Sequence, residues 1–228
     1  MDHDIPLLPP ARRTLMIALG AMALLAVAAV AYAAQRPLTA RGPRHRAGAH
    51  VLFGTVDGVV LLTAAALPLA ALAVWVLAHR RLGTRSAWRD SLAEVAIVYG
   101  TLPWLWMTML PDSAPQRVNL VPLHDLFAVL ASGPATATVQ VGGNLLVFAA
   151  FGFFAPLRFA ALASVRRVLA LAAAFSALIE IAQYVLRLGR VSSVDDVLLN
   201  AVGAALAALA SRRWWHRRAG NNALEKPR

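Results

Sequence analysis

The chain has no cysteine. That excludes disulfides, thiolate nucleophiles and cysteine-ligated zinc. Acidic residues are scarce, 11 against 22 Lys plus Arg, and Lys226 is the single lysine. Charged residues reach only 14%, against about 25% in an average soluble domain. A soluble monomer of 228 residues could not hide a 59% hydrophobic composition, and disorder is excluded more firmly still. What is present in quantity is long apolar sequence, with mean hydropathy +0.62. The class is integral membrane protein. The formal charge of +11 would point to nucleic acid in a soluble chain. Here the arginines flank apolar runs, so they read as topology signals and contacts with anionic lipid headgroups; membrane lipids are the expected partners and nucleic acid is not.

A bilayer core of about 30 Å needs roughly 20 apolar residues per helix. Six runs qualify: 14–34, 51–78 with Pro68 as a kink, 91–110, about 142–157, 168–186 and about 195–211. The expected fold is all-α, a polytopic membrane helical bundle of about six transmembrane helices. With six spans both termini share one side. That side holds 15 Lys plus Arg and the opposite side 7, which places both termini in the cytoplasm. Ala31-Tyr32-Ala33 also has the form of a signal-peptidase site, so the first run reads either as a span or as a cleaved signal. Residues 122–131 begin with Pro and repeat Leu123, Leu126, Phe127 and Leu130 at helical spacing. Too short to span, they read as a re-entrant or interfacial helix with Pro122 at its first position.

Ionisable residues inside spans are costly and are functional candidates by default. Glu180 is the clearest. Gln183, Tyr184 and Arg187 follow it at i+3, i+4 and i+7, a polar stripe on one helical face or a packing stripe of mutual hydrogen bonds. In the link 187–196, Ser192 or Ser193 can cap the next helix, and Asp195 and Asp196 suit its first turn. Two adjacent carboxylates point about 100° apart, so one should face the bundle. Asp196, Asn200 and Gly203 share a face, and Gly203, Ala204 and Ala207 permit close helix approach. The outer side therefore gathers Arg117, Asn119, His124, Asp125, Asn144, Glu180, Gln183, Arg187, Arg190, Asp195, Asp196 and Asn200. A buried carboxylate must be neutral or partnered. Glu180 or Asp196 is expected to pair with Arg117 or Arg190, tying the link 187–196 to the loop 111–141. Asp57 and Glu94, near span ends, should be dispensable by comparison, and the basic clusters of the inner side read as plain anchors.

Three stretches together resemble the VanZ family of bacterial membrane proteins: RVNLVPL (117–123), GNLLVFAAFGFFAPL (143–157) and SALIEIAQYVLRLGRVSSVDDVLLNAVGAAL (176–206). The family's polar and small residues fall on Arg117, Asn119, Pro122, Asn144, Gly152, Glu180, Gln183, Arg190, Asp195, Asp196, Asn200 and Gly203. Leu123 stands where the family commonly has Phe, and Ala150 where it often has Pro. The resemblance implies an association with glycopeptide resistance, chiefly to teicoplanin. It covers roughly 91–211, which divides the chain into a two-helix N-terminal extension (1–90), a VanZ-like membrane domain (91–211) and a basic cytoplasmic tail (212–228). The expected function is a non-enzymatic or accessory factor at the outer face of the plasma membrane, binding a lipid-linked cell-wall precursor or a lipoglycopeptide. An intramembrane enzyme with Glu180 as base and His124, Asp195 or Asp196 as acid or metal ligands is the alternative, and a transporter the third. No nucleophile elbow, HExxH or P-loop is present. No cofactor and no resident metal is expected.

Overall fold

The computed structural model describes residues 53–112 and 117–224, with side chains up to His216. The first apolar run, 14–34, and its signal-peptide reading lie outside the described residues. The second run forms two helices, α1 (Val56–Ala65) and α2 (Leu67–Arg80), meeting at 42°. Thr55 caps α1 through Gly58 N, and Pro68 opens α2, where its missing N–H costs no helical bond. A tight turn with Leu82 at φ 70° and Gly83 at φ 64° leads to α3 (Arg85–Thr108), capped by Thr84.

Past α3 the chain forms a short strand, β1 (Arg117–Asn119), and a short helix, α4 (His124–Ala131). Then α5 (Pro134–Val147) and α6 (Ala149–Arg158) run on with a break at Phe148, as one 25-residue apolar stretch. A 3₁₀ turn, Ala160–Leu162, precedes α7 (Val165–Val185). Strand β2 (Val191–Ser193) leads directly into α8 (Val194–Leu224).

Three helical segments are long and apolar enough to cross a membrane: Pro134–Arg158, Val165–Val185 and Val194–His216; the bent α1–α2 pair would be a fourth. Helix α3 has 24 residues, long enough to cross, but its charged first half and its Trp, Tyr and Thr residues keep it below that apolar standard. The chain is thus mostly helical as expected, and three of the expected six spans meet the apolar standard among the described residues. The fourth run also starts earlier than expected, at Pro134 rather than about 142, because Pro134 fits the first helical turn and Gly133, at φ 111°, lets the chain reverse before it.

The core lies where α3, α5, α6, α7 and α8 converge. Phe148, Phe151 and Phe175 meet with ring centroids 6.4–6.5 Å apart, and Ile97, Val147, Val168 and Ala201 close around them. Helix α8 crosses the α5–α6 segment backbone to backbone. A Cβ on Gly203 would overlap the Leu145 carbonyl, and one on Gly152 the Ala204 carbonyl. Without a hydrophobic drive between helices in lipid, such small-residue contacts supply the packing. The close approach expected of Gly203 and Ala204 is thus used, and Ala204 is fully buried.

Helix α7 ends in a Schellman motif. Leu188 N donates to Gln183 O (3.2 Å) and Arg187 N to Tyr184 O (3.1 Å), with Arg187 left-handed at φ 50°. The buried Leu188 packs with Met109, Ile179 and Leu186. Arg187 therefore lies past the helix end and does not continue the Glu180 face, as the i+7 spacing had implied. Tyr184 stays on that face, one turn on from Glu180, and is 49% exposed.

Candidate polar clasp at one end of the bundle

The segments between α3 and α5 and between α7 and α8 meet over one end of the bundle. Strands β1 and β2 pair in parallel, Arg117 opposite Val191, Val118 opposite Ser192 and Asn119 opposite Ser193. Asp112 N adds a bond to Leu188 O (2.8 Å). Parallel strands need a long crossover; here α4 to α7 supply it. The tie expected between 111–141 and 187–196 exists, but strand pairing and the Asp195 carboxylate on backbone amides make it, not ion pairs.

Below the strands, Ser193 caps α8, its Oγ accepting from Asp195 N (3.2 Å). That settles which of the two serines acts as cap. Asp195 is buried, and each of its oxygens accepts from a backbone amide of α4 and its approach: Leu123 N (2.5 Å) and Leu126 N (2.9 Å). A carboxylate at a helix N-terminus satisfies orphan donors and meets the positive end of the dipole. Helix α4 therefore starts at His124, with Leu123 left-handed at φ 66°. Pro122 is not its first residue, because Asp195 fixes where the amides must converge.

Asp196 points to another helix and accepts from Asn144 Nδ2 of α5. Both adjacent carboxylates are thus engaged, one with α4 and one with α5, as their angular separation on α8 permits. On α7, Glu180 Oε2 accepts from Ser193 N (3.1 Å), and Ser192 Oγ donates to Glu180 O (3.2 Å). Gln183 Nε2 reaches Thr108 O (2.8 Å), satisfying a carbonyl at the C-terminal end of α3. One turn deeper than Asp196, Asn200 Nδ2 donates to Ser176 Oγ (2.7 Å) on α7, and both side chains are buried.

At the lip, Asn119 Nδ2 donates to Asp125 Oδ1 (2.6 Å) and lies 3.0 Å from His124 Nδ1, while its own Oδ1 accepts from Val121 N (3.1 Å). Burial raises the Asp125 carboxyl, but the side chains of Ser193, His124 and Asn119 outweigh it and hold the group below its ordinary value of 3.8.

The expected ion pairs are absent. Among the described residues, neither Arg117 nor Arg190 comes within salt-bridge distance of Glu180, Asp195 or Asp196. Arg117 is exposed on β1, and Arg190 is half-buried where its charge still acts on Glu180 and Asp196. The reason is desolvation. Backbone amides and asparagine satisfy a buried carboxylate without stripping water from a guanidinium, whose burial costs several kcal/mol. Of the expected cluster, Asn119, Asn144, Glu180, Asp195, Asp196 and Asn200 join the clasp. Gln183 serves α3 instead, and Arg117 and Arg187 stay at the surface.

A second polar centre lies at the opposite end. Glu94 accepts from Arg81 Nη2 (2.7 Å) and Arg158 Nε (2.5 Å), and Arg81 also reaches Ser91 Oγ (3.2 Å). The Glu94 side chain is only 12% exposed. It clamps the α2–α3 turn, α3 and the end of α6, which corrects its reading as an interfacial residue and that of Arg81 and Arg158 as plain anchors. The signal was available in sequence: between the arginines of 80–89 and those of 158–167, Asp90 and Glu94 are the acids placed at that end of α3, and an acid set within an apolar run needs partners.

No group of three or more His, Asp or Glu is arranged to hold a metal among the described residues. No curated protein and no solved structure matches the chain. The sequence profile of the VanZ/LLP1 family matches residues 95–215. That stretch is more than half of the chain and carries the clasp residues from β1 to α8, the Glu180–Ser193 contact and the Gly152–Gly203 helix crossing. By that match over both its apolar helices and its polar end, the chain belongs to the VanZ/LLP1 family.

Proposed function

We propose that this membrane protein is a non-enzymatic accessory factor whose clasp end lies at the outer face of the bacterial plasma membrane. There it engages the headgroup of an amphiphile, a lipid-linked cell-wall precursor or a lipoglycopeptide, and so contributes to teicoplanin-type glycopeptide resistance. One observation carries the reading: every carboxylate that an intramembrane enzyme would use has at least one oxygen tied to another part of the chain. Asp195 gives both oxygens to amides of α4 and its approach, Asp196 gives one to Asn144 and Glu180 gives one to Ser193 N. The groups left facing outwards are exposed Arg117 and Arg187, which suit a phosphate or carboxylate, beside the exposed apolar side chains Leu120, Leu123 and Phe127, which suit acyl chains. On this reading residues 1–90 are an N-terminal extension, 91–211 the family domain and 212–228 a basic cytoplasmic tail, with both termini in the cytoplasm.

The test is growth of overexpressing and deletion strains against teicoplanin, vancomycin and unrelated detergents. Selective protection against teicoplanin, reduced by replacing Arg117 and Arg187 together, is the expected result. Equal protection against all agents, or none, would sink the proposal.

A further inference from the structure

Glu180 of α7 and Asp196 of α8 stand one helical turn from Ser176 and Asn200 of the same two helices, and Glu180 also accepts from Ser193 N just before Asp196. Each already uses one oxygen on the clasp, Glu180 on Ser193 N and Asp196 on Asn144 Nδ2. One turn deeper on the same two helices lie Ser176 and Asn200, joined by a 2.7 Å hydrogen bond. Asn200 is 2% exposed, and its Oδ1 is buried with no hydrogen-bond partner. Buried acceptors left unsatisfied are few in folded proteins, and each calls for a cause. Asn200 is one helical turn from Asp196 on α8, and its partner Ser176 is one turn from Glu180 on α7, so this acceptor lies on the carboxylate-bearing side of both helices.

The local charges do not balance. Arg190 is the guanidinium that acts on both Glu180 and Asp196. Asp195 and Asp125 add further negative charge beside Asp196, the first held by α4 amides and the second by Asn119 and His124. If Glu180 and Asp196 are both ionised, Arg190 balances one of them, and the charge left over at the depth of the spans, where uncompensated charge is expensive, calls for a counter-ion. The donors on offer are all oxygens: carboxylates, an amide carbonyl and a hydroxyl. That set favours a hard cation over a transition metal, and the charge deficit of one favours a monovalent ion.

We propose that Glu180, Asp196, Asn200 and Ser176 form a binding site for a monovalent hard cation of the sodium class, which locks α7 against α8 beneath the clasp. The site is separate from the exposed headgroup surface and stands or falls independently of it.

The test uses the purified full-length protein in lipid nanodiscs. Thermal unfolding is followed in NaCl, KCl and choline chloride at constant ionic strength, at two pH values. A saturable rise in Tm with Na⁺, absent in choline, is expected. Glu180→Gln and Asp196→Asn should abolish the response, Asn200→Ala should weaken the apparent affinity at least tenfold, and Asp57→Asn should leave it unchanged. The wild-type comparison stands even if a variant fails to fold. Identical Tm in NaCl and choline chloride would overturn the proposal. So would stabilisation that follows pH alone, which would assign the missing positive charge to a proton, or a Na⁺ response that survives all three site substitutions.

Discussion

Asp125 gives the clasp a defined response to acid. Its carboxyl is held below 3.8 by polar neighbours despite burial. A depressed folded-state value means that the stabilisation is present above the unfolded value and is lost as pH falls through the lower folded one. Thermal stability should therefore decline more steeply for the wild type than for Asp125→Asn as pH drops from about 5 to about 3. Equal slopes would show that Asp125 contributes nothing. Glu94 illustrates a different residue-scale effect. Its removal leaves Arg158, whose side chain is 12% exposed, without a counter-charge. Glu94→Ala should cost about 2–3 kcal/mol, discounted from a fully buried pair because Arg81 is 30% exposed. Chemical denaturation of Glu94→Ala beside Asp57→Ala measures it, and parity between the two would refute the clamp.

Between elements, the decisive quantity is backbone separation. The α8 crossing over α5–α6 has no room for a Cβ at Gly203 or Gly152, since the obstructing atoms are carbonyls that cannot rotate away. Gly203→Ala and Gly152→Ala should each destabilise by about 1–3 kcal/mol or more, through forced separation of the helices. Gly142 and Gly143, in α5, offer the contrast: nothing lies within 4 Å of a Cβ built on either. Gly142→Ala should raise stability by about 0.5–1 kcal/mol through helix propensity alone. Thermal unfolding of the four alanine variants would separate the two effects. If all four moved together, the close crossing would not be what holds α8 in place.

Across the whole molecule, arginine is distributed unevenly between the two ends. Arg80, Arg81, Arg85, Arg89, Arg158, Arg166, Arg167, Arg212 and Arg213 lie at the Glu94 end, and Arg117, Arg187 and Arg190 at the clasp end. The proposed outward-facing clasp is the orientation that agrees with the positive-inside tendency. Because the native chain has no cysteine, single cysteines report orientation cleanly. Ser132 and Leu120 are exposed at the clasp end and Ser86 at the other, whereas Ser193, in the same link as Arg190, is buried and unsuitable. Impermeant maleimide added to intact cells should label Ser132→Cys and Leu120→Cys but spare Ser86→Cys. Labelling of Ser86→Cys alone would invert the topology.

Composition and hydropathy alone determined the membrane class, the helical elements and the bend at Pro68, because solvent transfer and backbone stereochemistry act locally. The spacing of Glu180, Asp195, Asp196 and Asn200 marked one polar end for the same reason: helical periodicity places side chains on faces before any packing occurs. Partners could not be read that way. Sequence charge counting matched arginines to carboxylates, yet the fold gave the carboxylates backbone amides and asparagine, because these donors come without a guanidinium's hydration to remove. The pairing of β1 with β2, the start of α4 at His124 and the double bridge on Glu94 each join residues distant in sequence. Like the backbone-to-backbone fit of α8 on Gly152 and Leu145, they are decided only by the tertiary structure.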